Sequence, residues 1–287
     1  MNFNSHVVKG NSLDYEVRGD VNEKRIIFLP AIRQVKESFN MIANGLEDQY
    51  KLYLIDNRGH GNSIKEGPYT LNQICEDLYS LFCKEEIGKA SIVAASFSCI
   101  PALIFSSKYP DMVESIIMLD GGFYNLNEHP YFDYSLLKHD VQELILKNKH
   151  EFEIFLNNQV QMIVKDLNIS PFIKRFIKNV LKKNYWIDTN GFFRHKTSEF
   201  IYKSYLQDLL NIDVYALHRD NHKRKLLIQS DISTKDVREQ QFFIDAIEKT
   251  KRNSINLEIR YIQNSHHFLM LTNPEECIAL IREFLNY

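Results

Sequence analysis

The sequence predicts an α/β protein in which helices cover both faces of a mostly parallel sheet. Three observations carry that reading. Short, continuous apolar runs alternate with helical patterns over the first 120 residues, the alternation resumes after residue 222, and a long helical stretch separates the two. The runs at residues 25–29, 52–55, 90–94 and 115–119 lack the apolar–polar alternation of a half-exposed strand, so they suit strands buried on both faces. Residues 226–228 and 257–262 extend the set.

The helices between these runs are marked at their ends. Thr70 followed by Gln73 forms a capping box, and Leu71, Ile74, Cys75, Leu78 and Phe82 then share one face. The last helix repeats the pattern: Asn273 at the cap, Pro274 in the first turn, Glu276 completing the box, and Ile278, Ile281 and Leu285 facing inward. Between the two halves, residues 121–222 read as amphipathic helices rich in Phe, Tyr and Lys. One helix there carries Ile173, Phe176, Ile177, Val180 and Leu181 on a stripe, with Lys174, Arg175, Lys178, Lys182 and Lys183 elsewhere. We expect residues 1–120 and 223–287 to form one core and 121–222 a helical cap inserted into it.

At 287 residues, 44% hydrophobic and 25% charged, the chain is long enough to bury a full core. Its net charge of −2 supplies no general attraction to nucleic acid or anionic membrane, and neither partner is expected. Met1-Asn2-Phe3-Asn4-Ser5-His6 lacks a basic region followed by an apolar run, and no later segment approaches the length of a membrane span, so a cytoplasmic location is expected. Cys75, Cys83, Cys99 and Cys277 show no paired spacing and sit among apolar residues, which predicts reduced core thiols and no metal site.

Three segments carry chemistry. Val93-Ala94-Ala95-Ser96-Phe97-Ser98-Cys99 joins a buried strand to an apolar helix. A serine on so sharp a turn needs small residues two places before and after it, and Ala94 and Ser98 meet that need; otherwise Ser96 simply caps the helix. Asp56-Asn57-Arg58-Gly59-His60-Gly61-Asn62-Ser63 has glycines suited to a tight reversal and charged groups able to hold the loop, a structural role. Asn264-Ser265-His266-His267-Phe268 follows the last strand and precedes the last helix.

Together these segments resemble the α/β-hydrolase family over residues 12–122 and 224–287. The family's G-x-S-x-G becomes Ala94-x-Ser96-x-Ser98, its D-x-R-G-x-G-x-S loop stands at 56–63, and its G-H-F register places His267-Phe268 ahead of Pro274. The resemblance implies an eight-stranded, mostly parallel sheet with an inserted cap. It implies Ser96 as nucleophile and His267 as general base, with His266 left to the core. The amides of Phe97 and Ile32 become the oxyanion donors. For the acid, the family's usual glycine and aspartate after residue 228 are replaced by Ser230 and Ser233, which leaves Asp120, after the run at 115–119, or alternatively Asp231.

A serine nucleophile excludes dehalogenation and epoxide opening, which need an aspartate in that place. Phe123, Tyr124, Tyr131, Phe132, Trp186, Phe192 and Phe193 suit either a small apolar or acyl substrate or the cap's own core. The expected function is a cofactor-free serine hydrolase of a carboxylic ester or thioester. A peptidase or carbon–carbon hydrolase on the same residues, or a non-catalytic ligand receptor of this fold, are the alternatives. Arg33 would meet an anionic substrate group or remain an exposed loop residue.

Overall fold

The uninterrupted apolar runs become the middle of a single sheet. The computed structural model describes residues 13–138 and 143–286, so the N-terminal stretch Met1 to His6 lies outside the described residues. Ten strands occur among the described residues: β1 (Tyr15–Arg18), β2 (Arg25–Leu29), β3 (Lys51–Ile55), β4 (Ala90–Ala95), β5 (Val113–Leu119), β6 (Ile145–Leu146), β7 (Tyr185–Ile187), β8 (Phe193–His195), β9 (Arg224–Gln229) and β10 (Leu257–Tyr261). Seven of them form the main sheet in the order β1-β3-β2-β4-β5-β9-β10, with β1 antiparallel to β3 and the rest parallel.

Two expectations change. The main sheet has seven strands among the described residues rather than eight, with β1 at one edge and β10 at the other. The segment between β5 and β9 is not purely helical, because β6, β8 and β7 form a small antiparallel sheet within it. Its longer helices, among the described residues, are Lys149–Ile163, Pro171–Lys183, Glu199–Leu209 and Val214–Arg219. The side chains of Asn148, Ser170, Ser198 and Asp213 cap them by accepting free backbone N–H groups.

Helices pack on both faces of the main sheet and divide its apolar side chains into two cores. Ile27, Leu29, Ile92, Ala94, Ile116 and Met118 face one; Ile26, Phe28, Val93, Ile117, Leu226 and Ile228 face the other, alternating as a strand requires. The helix Leu71–Lys84 starts at the predicted cap with half of the expected box: Gln73 N–H donates to Thr70 Oγ1 at 3.2 Å, while the Gln73 side chain donates to Asp77 Oδ1 at 3.2 Å. The final helix, Pro274–Leu285, differs: the Asn273 side chain accepts no backbone N–H, and its Nδ2 donates to Glu276 Oε1 at 3.2 Å. Cys75, Cys99 and Cys277 are buried thiols, but Cys83 is exposed, on the solvent side of its helix. In the basic helix, Lys178 and Lys182 both pair with Glu153 at 2.7 Å.

The loop after β3 fixes the carboxyl edge of the sheet. Asp56 is buried, and its carboxylate accepts the backbone N–H of Lys36 at 2.7 Å and of Asn62 at 2.9 Å. Arg58 forks onto Asp77, its Nε donating at 2.7 Å and its terminal nitrogen at 2.5 Å, a bidentate pairing that holds the loop against the following helix. Gly61 has φ +48°, and a Cβ there would overlap the Asp56 carboxylate. Gly61→Ala is therefore expected to lower unfolding stability in urea by about 1–3 kcal/mol or more, whereas unchanged stability would show that this loop does not need glycine there.

Candidate active site

The residues singled out in the sequence converge on the carboxyl edge of β4, β5 and β9. β4 ends at Ala95, a 3-10 turn spans Ser96–Ser98, and the helix Cys99–Lys108 follows at once. Ser96 has φ +50°, the left-handed region that a non-glycine residue occupies only when its surroundings hold it there. Ala94 and Ser98 are fully buried on either side. Ser98 contributes more than small size: its hydroxyl donates to the Pro30 carbonyl at 2.5 Å and accepts from Asn57 Nδ2 at 2.8 Å. One side chain thus joins the serine turn to the loop after β2 and to the loop after β3.

Close approach in this turn is made possible by a glycine elsewhere. A Cβ on Gly121 would lie 2.5 Å from Ser96 Cα, so the chain leaving β5 runs directly against the serine backbone. Past that point, Gly122 O lies 2.6 Å from His218 Nε2, and Phe123 O accepts from Thr250 Oγ1 at 2.7 Å. These bonds hold the segment that follows Asp120.

His267 lies in the loop after β10, and its two ring nitrogens have different partners. Nε2 lies 2.7 Å from Ser96 Oγ, and Nδ1 lies 2.6 Å from Asp120 Oδ2. Asp120, with φ +48°, is 6% exposed and also accepts from Gln229 Nε2, from Ser230 N–H at 3.0 Å and from Ser230 Oγ at 2.9 Å. Burial alone would push this carboxyl up, but hydrogen bonds and charge from His267, with those from Ser230, hold it below its ordinary value. The carboxylate therefore stays ionised at neutral pH.

The other acid candidate is elsewhere. Asp231 accepts the backbone N–H groups of Asn264 at 2.8 Å and Ser233 at 2.9 Å, closing the turn after β10 rather than meeting His267. Asp236 is the cap of the helix Val237–Asn253, accepting from Arg238 and Glu239 N–H. His266 turns away from the serine: its Nδ1 accepts from Phe268 N–H at 3.2 Å, and burial pushes its pKa down to about 4. Arg33 is committed to Glu199 at 2.5 Å and lies over the Tyr202 ring.

Ile32 and Phe97, the two residues expected to supply oxyanion donors, line a cavity together with Ser96, Asp120 and Gly121. The inserted segment closes its far side through Tyr124, Leu206, Leu209 and Val214. Tyr205 ties that segment down by donating to Arg58 O at 2.9 Å, and Asp208 accepts Leu71 N–H at 2.6 Å. Of the aromatic residues noted in the sequence, Phe123 is buried in the core, Phe193 stacks on Phe152, and Tyr131 and Trp186 are exposed. Among the described residues there is no cluster of His, Cys, Asp or Glu able to hold a metal, and no helix is long and apolar enough to cross a membrane.

Sequence reading singled out Ser98 for its small size alone and did not anticipate the hydrogen bonds that Ser98, Gln229 and Ser230 make. The signal for Ser230 was present: a serine where relatives of this pattern carry glycine, next to an acid displaced from its usual strand. Two outcomes follow. Gly121→Ala is expected to cost activity along with about 1–3 kcal/mol of stability, because the backbone of Ser96 cannot move aside; normal activity and stability in this variant would contradict the close contact. The depressed Asp120 pKa contributes stability that is complete above its unfolded value of 3.8 and is lost as pH falls through the lower folded value. Melting temperature should therefore fall less steeply in Asp120→Asn than in the parent between about pH 5 and 2, and parallel curves would contradict this linkage.

Comparison with known proteins agrees with this architecture. The sequence profile described as "alpha/beta hydrolase fold" matches residues 24–173. Ethanol acetyltransferase 1 of Kluyveromyces lactis is 22% identical over 275 residues, 88% of this chain and 69% of that one. The crystal structure of an E-2-(acetamidomethylene)succinate hydrolase superimposes with a TM-score of 0.75 at 20% identity, covering 96% of this chain and 95% of its own. An esterase of M. tuberculosis gives 0.76 at 15% identity, covering 98% and 91%. At such identities the structural likenesses speak for the fold alone, whereas the profile spans more than half of the sequence, and the chain belongs to the α/β hydrolase fold family.

Proposed function

We propose that this protein is a serine hydrolase that cleaves a carboxylic ester or thioester through an acyl-enzyme on Ser96. The observation that carries the reading is the unbroken series from Asp120 Oδ2 to His267 Nδ1 and from His267 Nε2 to Ser96 Oγ, with distances of 2.6 and 2.7 Å. Asp120 accepts a hydrogen bond from Nδ1–H, which keeps the proton on that nitrogen and leaves Nε2 as the free base facing the hydroxyl. As Ser96 Oγ attacks the acyl carbon, its proton passes to Nε2, and the imidazolium returns it to the leaving oxygen or sulfur. Water then repeats the sequence to release the acid. The amides of Phe97 and Ile32 are the donors assigned to the developing oxyanion. Residues 121–222 act as a cap that excludes water from the serine cavity.

The named activities of similar proteins support the ester reading without settling it. The M. tuberculosis structure is called an esterase, and the Kluyveromyces lactis relative is called an acetyltransferase, so both names imply ester or acyl chemistry. A ligand receptor needs the pocket but has no use for a buried carboxylate oriented on the imidazole. A fluorophosphonate probe should label the protein at Ser96 and leave Ser96→Ala unlabelled; labelling elsewhere, or none, overturns the reading. Against short 4-nitrophenyl esters, Asp120→Asn should lower kcat by about 10⁴-fold with little change in KM, as expected for loss of the tautomer-fixing partner, while Asp231→Asn changes kcat less than about tenfold. The reverse order would move the acid role to Asp231.

A further inference from the structure

Two cavities share Ile32 as a wall, and they differ in size and chemistry. The smaller, about 130 Å³, contains Ser96 and is walled by Phe97, Ile100, Leu209 and Val214. It is close in volume to cavities of about 150 Å³ that take up benzene or xenon, so it has room for a group of only a few carbons. The larger, about 530 Å³, runs beneath the inserted segment and is lined by both chain neighbours of His267, His266 and Phe268. That volume falls within the range of pockets that enclose a drug-sized ligand.

The direction of proton transfer decides which part of the substrate belongs in each. The departing atom takes its proton from His267 Nε2, so the leaving group occupies the imidazole side, while the acyl group stays with the serine. The larger cavity is also electrically balanced. Its charged residues Arg33 and Glu199 are paired with each other, and burial pushes the His195 pKa down to about 3 and that of His266 to about 4, leaving both rings neutral at pH 7. Phe155, Leu156 and Leu181 give it an apolar wall, and Gln159, Tyr185 and Tyr202 add polar groups.

Building on the serine hydrolase reading, we propose that the substrate joins a short acyl group to a bulky, uncharged, largely apolar alcohol or thiol. The acyl chain enters the 130 Å³ cavity and the leaving group the 530 Å³ cavity. Ser96 Oγ bonds to the acyl carbon, the bond from that carbon to the bulky oxygen or sulfur breaks, and the proton taken from Ser96 leaves on that atom. Hydrolysis by water then yields the short acid.

An isomeric pair of esters tests this on the full chain. 2-Naphthylmethyl acetate places the ring system in the leaving group, and methyl 2-naphthylacetate places it in the acyl group, at similar intrinsic reactivity. We expect kcat/KM to favour the acetate by at least about tenfold, a discrimination within reach of apolar pocket fit. Gln159→Trp, which fills the larger cavity, should lower kcat/KM for naphthylmethyl acetate more than for ethyl butyrate, and Leu209→Trp, which fills the smaller one, should show the opposite bias. Failure of the fluorophosphonate to label Ser96 overturns the hydrolase reading itself. A labelled protein that prefers methyl naphthylacetate, favours neither ester or turns over neither, or whose two variants show equal or reversed bias, overturns the pocket assignment alone.

Discussion

A carboxylate with almost no access to water has to be matched by donors from the chain, and that requirement organises this edge of the sheet. Asp120 meets it with His267, Gln229 and both donors of Ser230. The partners come from two places: the loop after β10 supplies the imidazole, and the end of β9 supplies the other two. The strands must therefore lie in the order β5-β9-β10, with β5 and β9 in direct register, for the carboxylate to be satisfied. The residue's positive φ and the glycine that follows it are consequences of the same demand, since the chain has to turn away at once to leave space for the serine turn.

The serine is held from the opposite side by a smaller network. Ser98, Asn57 and the Pro30 carbonyl link three loops with bonds of 2.5, 2.8 and 3.3 Å, all buried. A glycine at position 98 would meet the steric need of the turn but lose these links. The loop that carries Ile32 is thus referenced to the same turn that carries Ser96, which is the relation an oxyanion site requires. The inserted segment is referenced to this edge in turn, through Tyr205 on Arg58 and Glu199 on Arg33.

What the sequence reveals follows the strength of its physical signals. The doubly buried strands are legible because an unbroken apolar run of that length has few other uses, and the helix at Leu71–Lys84 because its cap and stripe agree. β1 is not, since Tyr15-Glu16-Val17-Arg18 lies at the sheet edge and is half solvated. The strands β6, β7 and β8, of two or three residues each, are too short for any period to show. At the site, Ser96 and His267 stand in segments whose neighbours constrain them, whereas Asp120 and Asp231 both follow strands that end on the same edge. Only the side-chain contacts separate these two: Asp120 Oδ2 lies 2.6 Å from the His267 ring, whereas Asp231 accepts the backbone N–H groups of Ser233 and Asn264. The support from Gln229 and Ser230 is a tertiary property, visible in sequence only as an unexpected serine.

The central claim is that Asp120 acts through His267 and nowhere else, and a double-mutant cycle on turnover measures this directly. If it is right, Asp120→Asn should depress kcat strongly in the parent background but hardly at all once His267→Ala is present, so that the double variant is about as slow as His267→Ala alone. Independent, multiplying losses from the two substitutions would contradict the account.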